Sequence, residues 1–130
     1  MSESMASGDV IRRAIIRGFT RDDLIFMGEL VDYSGLAVRV GVRAPTAVSH
    51  VVDAEVTQVA GDLGVPRWKV AGAILTSLFN AVRGGSLARN ETVWFSTPDF
   101  PMDLKAHVGR QESGSWVLTV YEASEKPALA

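Results

Sequence analysis

The sequence predicts an α+β domain: a helical bundle followed by a C-terminal antiparallel β hairpin or meander. Three observations carry that expectation. Residues 46–83 place apolar side chains at helical spacing in two runs, parted by Gly64-Val65-Pro66. From Glu91 onward the chain turns to Thr, Val, Trp, Phe and Tyr, with Pro and Gly between the runs. The composition, 47% apolar and 22% charged over 130 residues, is that of one globular domain.

Each element has its own reason. Residues 1–7, at the start of the Ser-, Gly- and Glu-rich stretch Met1 to Gly8, read as a flexible leader; residues 8–123 form the domain and 124–130 a flexible tail. Residues 8–18 suit a short helix, with Val10, Ile11, Ala14 and Ile15 on one side and Arg12, Arg13 and Arg17 on the other. Thr20 is an N-cap residue, followed by Asp22 and Asp23 where the helix dipole favours acids. That helix is expected to reach Ser34, burying Leu24, Met27, Leu30 and Val31, with Gly35 ending it. Residues 36–43 alternate: Leu36, Val38, Val40 and Val42 face one way, Ala37, Arg39, Gly41 and Arg43 the other. A period of two predicts a half-buried strand with a basic outer face.

Ala44-Pro45 breaks that strand, and Thr46 is read as the cap of a helix over 46–63, striped by Val48, Val51, Val52, Val56, Val59 and Leu63. The next helix, 66–83, is apolar nearly all round, so it is expected to be buried on several sides and to end at Gly84-Gly85-Ser86. Strands follow at 92–96, 104–110 and 115–121. A proline-containing loop spans 97–103, and Gln111 to Gly114 form a hairpin turn.

Charge and cysteine content bound the function. The chain carries no cysteine, which excludes disulfides, thiolate metal sites and cysteine catalysis. No signal peptide or bilayer-length apolar run is seen, so a cytoplasmic setting away from membranes is the expectation. The net charge is −2, distributed unevenly. Residues 36–89 hold six Lys or Arg against three acids, whereas residues 1–35 and 90–130 are acidic. No phosphate-binding glycine loop or nucleophile elbow occurs. His50 and Asp53 share a helix face but do not complete a metal site, and no cofactor is expected. Asp22-Asp23 diverge on their helix and serve its dipole rather than acid–base chemistry.

The segment Val59-Ala60-Gly61-Asp62-Leu63-Gly64-Val65-Pro66-Arg67-Trp68-Lys69-Val70 is the most telling. Ala60 permits a close helix crossing, Gly64 suits a left-handed helix end, and Pro66 suits a first helical turn. Val65 fills the gap between the helices, and Val70 points back onto Ala60 and Leu63. The spacing resembles the helix-turn-helix of lac-repressor-type and Cro-type DNA-binding proteins, and the order of elements resembles winged-helix domains.

The resemblance implies a dimeric transcriptional regulator that binds double-stranded DNA. Arg67 and Trp68 would then enter the major groove, with Lys69 on phosphate. Arg39 and Arg43, with Lys105 and Arg110, would add backbone contacts. The competing expectation is a non-enzymatic protein-interaction module such as an adaptor, antitoxin or immunity-type inhibitor. It explains the acidic ends and the large apolar content, with the helix-turn-helix simply packing two core helices. An enzyme would need a nucleophile or base that the sequence does not assemble.

Overall fold

The structure, a computed structural model, describes residues 20–83, 92–110 and 114–126. The leader, the helix expected at 8–18, the stop at Gly84-Gly85-Ser86 and most of the 111–114 turn lie outside the described residues. The elements run α1 (Arg21–Phe26), β1 (Leu30–Asp32), α2 (Ser34–Arg39), β2 (Thr46–Ser49), α3 (His50–Leu63), α4 (Arg67–Arg83), β3 (Thr92–Phe95), β4 (Leu104–Arg110) and β5 (Trp116–Glu122).

The strands make one five-stranded sheet in the order β1-β2-β5-β4-β3. The β2–β5 pair is parallel and the others are antiparallel. The architecture is therefore mixed α+β, with the helices packed on a continuous sheet. The β4–β5 hairpin is not an appendage to a bundle, because β5 lies between β4 and β2 in the middle of the sheet.

Side chains alternate across that sheet. Val48, Leu104, Ala106, Val108, Leu118 and Val120 join the main core with Val52, Val56, Val70, Ile74, Leu75 and Leu78 of α3 and α4. Their sequence neighbours Ala47 and Tyr121 face the other way and meet Leu24 and Leu30 in a smaller cluster under α1. Burying each Leu or Ile contributes about 1.5–3 kcal/mol, which favours the arrangement that covers both faces.

Four expectations change. The first helix is short. Thr20 and Asp23 form a reciprocal capping box, with Thr20 N–H donating to Asp23 Oδ2 at 2.9 Å and Asp23 N–H to Thr20 Oγ1 at 3.2 Å. The helix stops at Gly28 (φ 85°), where Gly28 N–H reaches Ile25 O and Glu29 N–H reaches Leu24 O, a Schellman ending. Leu30 and Val31 are thereby freed for β1, and Met27 is 43% exposed rather than buried.

The alternating run 36–43 is not a strand. Asp32 Oδ1 accepts from Ser34 N–H, and α2 then turns Tyr33 and Ala37 inward together, one helical turn apart. Val38, expected inside, is 57% exposed. Gly41, at φ 106° with Phe79 beside it, carries the chain away from α2. Arg39 and Arg43 are therefore not on the outer face of a strand. Arg39 ends α2 and Arg43 lies in the loop before β2, both exposed.

Residues 46–49 form a strand and not the first turn of a helix. Thr46, Ala47, Val48 and Ser49 are all buried between β1 and β5. Ser49 is the cap of α3, its Oγ accepting from Val52 N–H at 3.3 Å. Helix α4 presents one buried face, Val70, Ala71, Ile74, Leu75 and Leu78, and is not enclosed all round. Among the described residues no helix is long and apolar enough to cross a membrane.

Candidate functional site

The bend between α3 and α4 follows from its sequence. Gly64 holds φ 68° and ψ 33°, the left-handed region. Gly64 N–H donates to Gly61 O at 3.3 Å and Val65 N–H to Ala60 O at 3.0 Å, the two bonds of a Schellman ending. Val59 and Ala60 of α3 and Val70 and Ala71 of α4 are buried in one core cluster. The expected crossing is present for Ala60 and Val70. Leu63, expected beneath Val70, is instead 57% exposed.

The three candidate residues at the start of α4 have different environments. Trp68 is 61% exposed, and Lys69 Nζ lies 5.9 Å from the centre of its ring. Arg67 is occupied. Its Nη2 is 2.7 Å from Asp53 Oδ1, and its Nη1 donates to Thr57 Oγ1, so both bonds run to α3. The hydrogen bond to Asp53 is the main reason its pKa is raised.

Asp53 Oδ1 also accepts from the hydroxyl of Tyr33 at 2.8 Å. Burial first, and then that bond to the carboxylate, raise the pKa of the Tyr33 phenol, which keeps its proton. One carboxylate thus joins β1's end, α3 and α4. Tyr33 was not a candidate from sequence, and Asp53 was weighed only beside His50 as an incomplete metal site. Twenty residues part Tyr33 from Asp53, and the signal in the sequence for a polar cluster there is the Asp53–Thr57 spacing of four, one face of a helix.

Arg39 and Arg43 do not join Arg67. Gly41, between them in sequence, lies against Phe79, twelve residues along α4 from Arg67, or about 18 Å at 1.5 Å per residue. Lys105 is buried on the sheet face away from α3 and α4, with Nζ 5.4 Å from the Trp94 ring and bonded to Glu125 O. Arg110 packs over Trp116 at 4.6 Å. The basic residues are dispersed and do not form a single stripe.

His50 and Asp53 also part company. His50 Nδ1 lies 3.5 Å from Glu29 Oε2, while Asp53 serves Tyr33 and Arg67. Among the described residues no three His, Cys, Asp or Glu side chains gather as a metal site.

Beside the bend lies a groove of about 160 Å³. Leu63, Val65, Val70 and Ala73 wall it on the helix side and Phe100 on the β3–β4 loop side. Lys69 and Asp99, both exposed, stand at its edge, and Thr97 also lines it. Thr97 is 5% exposed, and its Oγ1 is shut off from solvent without a hydrogen-bond partner. Asp99 holds φ 65°, in a turn where Phe100 N–H donates to Thr97 O at 3.2 Å. The chain matches no family model, no curated protein and no solved structure.

Proposed function

We propose that the protein is a non-enzymatic, cytoplasmic protein-interaction module of the adaptor, antitoxin or immunity-inhibitor type, and that it docks its partner on the outer side of the α3–α4 bend. The exposure of Trp68 at that bend carries the reading. A tryptophan offers 150–250 Å² of apolar area in the range of about one side chain, and such anchors dominate interface energies. The adjoining Leu63 is nearly as exposed. Arg67, the arginine best placed to reach a partner by charge, is spent within the chain on Asp53 and Thr57.

DNA binding is the second reading, favoured by the helix-turn-helix spacing and by the open Trp68-Lys69 pair. In it the protein is a homodimeric transcriptional regulator that presents the start of α4 to double-stranded DNA. Trp68 and Lys69 lead, Arg67 must leave Asp53 to reach a base, and Arg39 and Arg43 touch only backbone.

A photo-crosslinking residue placed at position 68 in cells separates the two. The interaction reading expects a discrete protein adduct, lost when Leu63→Asp is added. The DNA reading expects retardation of duplex DNA that weakens steeply with salt, with a log–log slope of about −0.9 per phosphate contact. Retardation abolished by Trp68→Ala with Lys69→Ala, and no protein adduct, would replace the first reading with the second.

A further inference from the structure

We infer that the groove between the α3–α4 bend and the β3–β4 loop binds a small ligand with an apolar body and two opposite charges, the chemistry of a free apolar α-amino acid. Trp68, which carries the docking reading, is not among the residues that line the groove, although Leu63 belongs to both surfaces.

Size and lining set the apolar part. A space of about 160 Å³ walled by aliphatic and aromatic side chains is close to that of a cavity of about 150 Å³ that holds benzene. It accommodates a leucine-, isoleucine- or phenylalanine-sized side chain. Charge sets the ends. Lys69 and Asp99 both line the groove, both are exposed, and neither is within ion-pair distance of the other or of any described residue. The Lys69 ammonium lies 5.9 Å from the centre of the Trp68 ring. A carboxylate on Lys69 and an ammonium on Asp99 would satisfy both charges with one molecule.

Two further observations fall at the same place. Thr97, one of the lining residues, has a buried hydroxyl that lacks the hydrogen bond such a group ordinarily makes. Asp99 occupies a left-handed position that glycine fills at less cost, so its carboxylate is held there against backbone preference.

The test is a titration of the full ¹⁵N-labelled chain with L-leucine and L-phenylalanine, read at the amides of Lys69, Val70, Thr97, Asp99 and Phe100. Saturation by about 10 mM, as a Kd near 1 mM requires, is expected. N-acetyl-leucine and leucinamide, each lacking one charge, bind at least tenfold more weakly. Lys69→Gln weakens leucine at least fivefold but leaves leucinamide unchanged. Asp99→Asn, which keeps a residue tolerant of the left-handed turn, weakens leucine but leaves N-acetyl-leucine unchanged.

Shifts that fail to saturate, or two charge-removing variants that bind leucine as the parent does, would overturn the inference. Leucine binding is read at the groove amides and docking by the protein adduct, so the failure of one reading is seen separately from failure of the other.

Discussion

Gly64 and Asp99 hold nearly the same positive φ, 68° and 65°, for different reasons. A Cβ added to Gly64 would touch nothing within 4 Å, so Gly64→Ala carries only the backbone cost of the left-handed state. We expect about 1–2 kcal/mol of lost stability, seen as a lower urea midpoint with an unchanged slope. Asp99 follows Pro98, and a proline followed by a left-handed residue is the pattern of a type II turn, whose second central position favours glycine. Asp99→Gly is therefore expected to stabilise the fold by up to about 1 kcal/mol. If the groove binds as inferred, the same change weakens leucine, separating a residue kept for a ligand from one kept for the fold. An unfolding midpoint that drops for Asp99→Gly would show that its carboxylate supports the turn itself.

At the scale of elements, the Tyr33–Asp53–Arg67 cluster ties α4 to α3 and to the end of β1. Its members differ in burial, and that sets a ranking. Asp53→Ala leaves the buried Tyr33 hydroxyl without its acceptor and is expected to cost about 1–3 kcal/mol. Tyr33→Phe removes one hydrogen bond with little change of shape, about 1 kcal/mol. Arg67 keeps 45% of its side chain exposed, so solvent screens its pair and Arg67→Ala costs under about 1 kcal/mol. Equilibrium urea unfolding of the three variants checks the order; Arg67→Ala as the most damaging would refute it.

The same scale shows which elements local sequence could specify. Helices 50–63 and 67–83 and strands 104–110 and 116–122 were legible because each is long enough for its own periodicity to dominate. The alternating valines of 36–43 misled because α2 is six residues long and buries Ala37, a residue too small to register as core. Val48 and Val51-Val52 read as one helical stripe, although Ser49 divides strand from helix between them. At the candidate site the bend, the exposed Trp68 and the exposed Lys69 were legible in the local motif. The hold of Asp53 on Arg67 was not, nor was the approach of Thr97 and Asp99, since both depend on how distant segments meet.

Across the whole molecule the two sheet faces differ in kind. One is sealed by aliphatic side chains from α2, α3 and α4, while the other mixes Leu24, Leu30 and Tyr121 with charged and polar groups. On that second face Arg21, 7% exposed, donates to Thr119 Oγ1 and to Leu118 O at 2.7 Å, and burial lowers its pKa. His107 is the direct cross-strand partner of Thr119. Both of its ring nitrogens are buried without a hydrogen-bond partner. Burial, and then the neighbouring Lys105 charge, lower its pKa below the ordinary 6.5. The folded chain therefore binds a proton at His107 less readily than the unfolded chain does. His107 adds no penalty above the unfolded value, and stability falls as pH drops from 6.5 towards the lowered folded value. We expect the urea midpoint to fall between about pH 7.5 and pH 5. His107→Phe should show a smaller fall over that interval, because the variant has no imidazole to charge among Lys105, Arg21 and Thr119. The readout is the difference between the two pH profiles, in which groups common to both proteins cancel. Superimposable profiles would mean that the imidazole takes up its proton equally well in the folded sheet, and the unpartnered nitrogens would then have no part in the acid response.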